Sequence, residues 1–397
     1  MLKESPFFEF FNRREPADYA TFVDAHVQDE DFIDWNGSLL PHDYGDAEFE
    51  YHSVRSSCAC FDVSPMRKIR VTGADAGDFL DVLLTRPVSE TPSKRGVYVI
   101  FCNADGTLKD DAILYKFADD DYLLLPSDID HTPYFSELAT ARGFINVKFA
   151  ECTESLAGIA IQGPRSARVM RELGFDQVAA LSPYEFREDQ FDGEECIVAR
   201  MGFTADLGYE LWLSPAQAVA VAKALENVRQ RLKLDIPGYG LSALEACRIE
   251  GGFVVAGWDF ATELDDLPGF ERNPYEVGLG WAVDLERADF VGRAALIDLK
   301  PDSTYVIRRI HAATREPLEG YELFADIEGK QTLIGSVNCA TWSWGLDRMI
   351  GNASIKKAYL KVADANAIIA GEQVPVQLTR GAYVNLERRN LVPAPLD

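Results

Sequence analysis

The sequence predicts an α+β fold that ends in an all-β region. Three observations carry that expectation. A length of 397 residues holds two to three domains at roughly 150 residues each. Strand-like and helix-like patterns mix from Lys68 to about residue 152, which makes a compact α+β unit. Past about residue 300 the chain turns to short β-rich runs such as Tyr305–Ile310, Thr332–Val337 and Gln373–Leu378.

Along the chain, residues 17–34 read as a polar, acidic segment that bears a helix. Leu39-Leu40-Pro41 and Tyr44-Gly45 predict an extended approach and a turn. Residues 47–57 predict a helix that ends near Cys58. Lys68-Ile69-Arg70-Val71-Thr72-Gly73 alternates like a half-buried strand, and Ala74–Thr85 reads as a short amphipathic helix. Strands follow at 96–102, 110–116 and 121–126, with Asn103-Ala104-Asp105-Gly106 as a hairpin signal. Thr132–Arg142 predicts a helix and Asn146–Phe149 a strand. Leu156–Pro164 is a strand running into a turn, and Arg165–Leu173 a helix begun just after the proline. Strands around 184–202 and at 208–213 lead to a helix over Pro215–Leu232. Residues 242–250 form another helix, stopped by Gly251-Gly252, and Pro268 to Pro274 is loop.

Lys and Arg total 39 against 64 Asp and Glu, a net charge of −25. A uniformly acidic chain repels a phosphate backbone and an anionic membrane surface, so neither nucleic acid nor membrane is expected as a partner. No stretch approaches the ~20 apolar residues of a membrane span, and the N-terminus shows no signal-peptide pattern. Seven scattered cysteines without a Cys-x-x-Cys read as reduced thiols of a cytoplasmic protein. The excess of Asp (35) over Glu (29), with 26 Arg against 13 Lys, fits either a saline habitat or ordinary bacterial acidity. Five histidines without ligand spacing argue against a metal. Phosphate loops, dinucleotide fingerprints and nucleophile elbows are missing from the sequence.

Three segments remain as chemistry. Asp110-Asp111 opens an otherwise apolar strand. Alternation sends the two carboxylates to opposite faces, so one points inward or into a cleft, where its acidity becomes tunable. The plainer alternative is an Asp that caps the hairpin. Glu210 sits in the apolar strand Gly208-Tyr209-Glu210-Leu211-Trp212, where a carboxylate can accept two bonds from an amino-heterocycle or simply pair with a cation. Arg248, near the Gly251-Gly252 helix end, and Trp281, after a Gly-rich turn, could clamp a planar anionic ligand. Surface charge and core packing are their alternatives.

In this order the segments resemble the glycine-cleavage T-protein family, the folate-dependent aminomethyltransferases. The resemblance covers most of the chain: Phe61-Asp62-Val63-Ser64-Pro65-Met66, Asp110-Asp111, Ile161-Gln162-Gly163-Pro164, Gly208-Tyr209-Glu210, Cys247-Arg248-Ile249-Glu250, Asn273 to Trp281 and Asp289 to Leu296. It implies a three-domain fold around a tetrahydrofolate site. Residues 1–65 with 153–295 would form a discontinuous folate-binding domain. Residues 66–152 would carry the catalytic Asp, and 296–397 would form a jelly-roll-like all-β domain. By position Asp111 resembles the family's catalytic carboxylate, and Glu210 the carboxylate that holds the pterin. Tyr98, Met66, Tyr184, Arg248 and Trp281 fall where the family lines its folate pocket. Ser127 replaces a frequent Asn and Phe203 a frequent Tyr. Arg388 or Arg389 would meet the glutamate tail.

Departures bear on the donor. Gly106-Thr107 stands where aminomethyltransferases carry Gly-Gly, and Gly202-Phe203-Thr204-Ala205-Asp206 where they carry Gly-Tyr-Thr-Gly-Glu. Trp342-Ser343-Trp344-Gly345-Leu346-Asp347-Arg348 replaces a segment that helps receive their lipoyl carrier. The sequence is closer to the tetrahydrofolate-dependent demethylases of dimethylsulfoniopropionate or methoxyaromatic acids. The expectation is therefore transfer of a methyl group from a small donor to N5 of tetrahydrofolate. An acidic lipoyl carrier protein is disfavoured as a partner by the charge. Trp342, Trp344, Tyr44 and Tyr209 are candidates for a cage around an onium donor. An aminomethyltransferase and a folate-binding paralogue without activity are the alternatives.

Overall fold

The computed structural model describes residues 2–11, 32–287, 289–391 and 393. The helix expected over 17–34 lies mostly outside them, and its described end belongs to a strand. Short helix α1 (Phe8–Phe11) precedes the hairpin β1 (Phe32–Trp35) and β2 (Ser38–Pro41). Then come α2 (Ala47–Ser56), β3 (Ala59–Asp62), β4 (Ile69–Thr72), α3 (Ala76–Leu83), β5 (Arg95–Cys102), β6 (Leu108–Ala118) and β7 (Asp121–Pro126). The middle of the chain supplies α4 (Thr132–Arg142), β8 (Lys148–Glu151), β9 (Ala157–Gln162), α5 (Ser166–Glu172), β10 (Phe186–Phe191), β11 (Glu194–Ala199) and β12 (Gly208–Leu213). Helices α6 (Ala218–Leu232), α7 (Leu241–Glu250) and α8 (Arg293–Asp302) follow. The last strands are β13 (Tyr305–Ala312), β14 (Glu322–Ile327), β15 (Lys330–Ser343), β16 (Arg348–Lys356), β17 (Asp364–Ile369) and β18 (Glu372–Thr379).

These strands make two five-stranded sheets, ordered β10-β11-β12-β9-β3 and β5-β6-β7-β4-β8, and a closed barrel ordered β13-β16-β15-β14-β17-β18. The all-β C-terminal region thus takes the form of a six-stranded barrel, and closure removes the exposed edges that short strands would otherwise present. Each unit has its own core. Ile159, Ile161, Val198, Leu211 and Val221 pack in the first, Phe79, Leu80, Leu114 and Phe135 in the second, and Ile310, Leu323, Val337 and Ile355 in the barrel. A further cluster built on Phe61, Tyr115, Trp212, Tyr239 and Cys247 joins the two sheets to α7.

Most strand boundaries fall within two residues of the sequence expectation, and the helix Thr132–Arg142 matches it. The strand expected at 146–149 slides to Lys148–Glu151, because Ile145 and Asn146 donate their backbone N–H groups to the Asp75 carboxylate in a turn. The units are tied by buried polar hubs. Glu250 at the end of α7 accepts from Tyr51 (2.7 Å) and Arg55 (2.7 and 3.1 Å) of α2 and from Ser343 (2.5 Å) of the barrel. Among the described residues no helix is long and apolar enough to cross a membrane. All seven cysteines are free thiols.

Candidate active site

A cavity of about 940 Å³ opens where the two sheets meet α7, the barrel and the segment that follows β18. Its walls include Met66, Tyr98, Asp111, Ser127, Tyr184, Phe203, Glu210 and Trp281. That volume suits a drug-sized ligand.

Asp111 is reached from the strand upward. Pleating turns Asp110 and Asp111 of β6 to opposite faces. Asp111 lines the cavity, where the Tyr98 hydroxyl of β5 donates to it at 2.6 Å. Trp281 stacks on Tyr98 with ring centroids 5.7 Å apart. Burial, and next the charge of Asp110, push the Asp111 carboxyl up to about 7, while the Tyr98 hydroxyl pulls it down. Hairpin capping belongs to a different residue, Asp105, which accepts from the Thr107 backbone (3.0 Å) and hydroxyl (2.7 Å).

Glu210 enters the cavity from β12, and the Tyr115 hydroxyl donates to it at 3.1 Å. Burial raises its carboxyl to about 7 as well. Glu210 makes no ion pair among the described residues, so the cation-paired alternative does not hold. Its neighbour loop is fixed by Gln162, whose side chain accepts from Thr204 (2.8 Å) and donates to the Met201 carbonyl (3.1 Å). A Cβ on Gly202 or Gly208 would approach that amide to 2.0–2.2 Å, so a larger residue at either position would push the Gln162 amide out of these bonds. Phe203 then stacks on Phe253 at 5.1 Å and 12°. Tyr184 holds a left-handed backbone (φ 67°) at the wall, a strained conformation of the kind found at ligand sites.

Arg248 is a correction. It does not line the cavity: its guanidinium is fully buried and taken by Glu245 (2.6 and 2.7 Å) and Asp259 (3.2 Å). An arginine in the last turn of a helix with two carboxylates in reach is consumed by them before it can serve a ligand. Arg388 is likewise held by Asp206 at 2.6 and 2.7 Å, whereas Arg389 lines the cavity above the Phe253 ring. Arg308, Arg309 and Arg380 join it. Arg308 and Arg309 are spent on barrel carbonyls and Asn352. Among the described residues neither Arg380 nor Arg389 meets a carboxylate. Four arginines thus face four acids, Asp111, Asp128, Glu210 and Glu245, around one cavity.

The onium cage is also a correction. Tyr209 is core, Tyr44 packs on Phe11, Trp344 on Tyr51, and Trp342 lies under Arg315; none lines the cavity. The sequence reading missed Trp35, Phe61, Tyr239 and Trp258, which do. Trp35 donates its indole N–H to Asp128 at 2.8 Å, an aromatic–acid pair 93 residues apart in sequence. Phe61 alone lay inside a quoted motif. Among the described residues no group of three or more His, Cys, Asp or Glu side chains is placed to hold a metal ion.

The model of the GCVT N-terminal domain family matches residues 20–287. An aminomethyltransferase of Thermotoga sp. (strain RQ2) is 30% identical over 341 residues, 85% of this chain and 88% of that protein. An aminomethyltransferase of Clostridium botulinum (strain Loch Maree / Type A3) is 30% identical over 336 residues, 83% and 86% of the two chains. The crystal structure of glycine cleavage system aminomethyltransferase T from Bartonella henselae superposes with a TM-score of 0.79 at 23% identity, covering 97% of this chain and 99% of that one. The fold is therefore shared throughout, and the chain belongs to the family of the GCVT N-terminal domain.

Proposed function

We propose that the cavity transfers a one-carbon unit to tetrahydrofolate, and that the unit is an aminomethyl group. The observation that carries the reading is the arrangement of charge around one cavity. Carboxylates of both sheets, Asp111 and Glu210, are poised near neutrality by burial, and Arg380 and Arg389 stand uncommitted on the wall. A folate has the matching pattern, with hydrogen-bond donors on its amino-pyrimidine and carboxylates on its tail. Aromatic walls at Tyr98, Tyr184, Phe203 and Trp281 suit its flat rings. Met66 and Ser127 would complete the lining.

Each residue's part follows from its place. Glu210 would accept from the ring's amino group. Arg389 would pair with the tail, with Arg380 beside it. Asp111 would hold or give up the proton that one-carbon transfer moves at a folate nitrogen. A carboxyl held near 7 is close to the optimum for such work at neutral pH. The aminomethyl reading is supported by the aminomethyltransferases similar to this chain over more than four fifths of its length.

A second reading is demethylation of a small cationic donor or a methoxyaromatic acid. Its support is the net charge of −25, which would repel an acidic carrier and attract a small cation, together with the Trp342–Arg348 departure.

Two measurements test the readings. Saturating tetrahydrofolate should raise the melting temperature by several degrees; no rise at millimolar ligand ends both. The bound protein is then given either an aminomethyl-loaded lipoyl carrier or a panel of onium compounds and methoxyaromatic acids. Ammonia release together with 5,10-methylenetetrahydrofolate and the freed carrier thiol supports the aminomethyl reading, in which the carbon stays on the folate as a methylene and the nitrogen leaves as ammonia. Formation of 5-methyltetrahydrofolate from a small donor alone replaces it with demethylation.

A further inference from the structure

Behind Asp111 lies a polar cluster that the proposed reaction does not use. Asp110 faces away from the cavity and is fully buried. Its carboxylate accepts from His131 Nε2 at 2.8 Å, from Ser127 Oγ at 2.8 Å and from the backbone N–H of Asp111 at 2.8 Å. His131 is also buried, stacked on Phe135 (5.7 Å) and edge-on to Phe101 (4.9 Å). Its Nδ1 has no partner, so the satisfied tautomer carries its proton on Nε2 and aims it at Asp110.

A buried carboxylate–imidazole pair is a poor way to gain stability. Apolar side chains of the same volume generally do as well or better. Here the pair grips two pieces of the cavity wall at once. One is Ser127, just beyond the end of β7; the other is the main chain of Asp111 itself. Both would drift if the carboxylate lost its third donor and turned toward water.

We infer that His131 is a positioning residue: through Asp110 it fixes Ser127 and the Asp111 backbone so that the Asp111 carboxylate meets Tyr98 and the ligand at one set geometry. The inference rests on the reading that Asp111 moves the proton. The ionisable groups facing the cluster are Asp111 on β6, Tyr98 on β5 and Asp128 on the loop after β7; Tyr184 acts on Tyr98, and Asp259, from the segment after α7, on Asp111.

The test is a carboxyl titration of full-length protein labelled with ¹³C at aspartate Cγ, the Asp111 signal being identified by its loss in Asp111→Asn. In His131→Phe the Asp111 midpoint should move by about one pH unit or more. His131→Gln, whose amide can still donate, should restore most of the parent midpoint. The same variants should lose turnover on the donor found by the panel above, about tenfold for Phe, with KM for tetrahydrofolate changed less than twofold. An unmoved midpoint in a folded His131→Phe protein overturns the inference. If that variant fails to fold, His131→Leu, which also removes the donor and leaves Asp110 in place, is read by the same titration, and an unmoved Asp111 midpoint there overturns it equally. Retained turnover in Asp111→Asn would instead sink the catalytic reading, leaving the titration result to stand or fall separately.

Discussion

Tyr98 and Asp111 are diagonal neighbours across the β5–β6 hairpin, Ile100 being the direct partner of Asp111, and the tyrosine hydroxyl donates to the carboxylate at 2.6 Å. That bond favours the ionised carboxylate. Tyr98→Phe should therefore shift the acid limb of the rate profile to higher pH, with tetrahydrofolate still bound. Asp111→Asn should keep the tetrahydrofolate-induced rise in melting temperature and lose turnover by about 10²-fold or more.

Glu210 gives a pH-dependent prediction of stability. Its carboxyl sits near 7 in the folded protein against 4.5 for an ordinary glutamate. The folded state then binds more protons than the unfolded one between those values, so stability falls as pH rises from about 4.5 to about 7 and is flat beyond. Glu210→Gln removes that loss. It should stabilise the ligand-free protein at pH 8 by up to about 3 kcal/mol and leave it nearly unchanged near pH 4.5. Tetrahydrofolate affinity should drop in the same variant. Denaturant unfolding at the two pH values, with calorimetric titration of ligand, measures both.

Arg388 and Arg389 are adjacent and should behave differently. Arg389→Met should weaken tetrahydrofolate binding about tenfold and hardly affect an analogue without the glutamate tail. Arg388→Met leaves the buried Asp206 facing only Arg55, at 3.4 Å. It should lower the melting temperature more than it alters affinity for the truncated analogue. Equal losses for both ligands in Arg389→Met would remove its assignment to the tail.

Arg248→Met strips the guanidinium from Glu245 and Asp259 together. Breaking a buried pair from one side costs about 3–5 kcal/mol, so the expected phenotype is a large drop in thermal stability. A well-folded variant with a purely ligand-binding defect would return Arg248 to the site.

How far the sequence could be read depended on whether the signal was local. The Asp110-Asp111 pair was legible because pleating sends adjacent residues to opposite faces whatever surrounds them, and the structure turns one to the cavity and one to the core. His131 was not legible. It lies outside any regular pattern, and only the demand that a buried Asp110 find donors pointed to a partner. The failed cage has the same origin. Tyr44, Tyr209, Trp342 and Trp344 look alike as residues, but whether an aromatic ring faces ligand or core is set by packing across units, as Trp35 on Asp128 illustrates. Arg248 failed because the carboxylate that takes it first, Glu245, is one helical turn away, while Asp259 comes from the next loop.

The four-against-four charge of the cavity wall sits inside a chain of −25, so the excess acidity lies elsewhere. Surface composition and catalytic composition are thereby separate design variables. Outer carboxylates can be traded, to suit a saltier or fresher solvent, while the contacts that hold Asp111 and Glu210 stay in place; what changes with them is the long-range field that steers a charged donor. For an engineer this marks the exterior as open ground for solubility changes; for a lineage it is a way to change habitat while keeping its reaction.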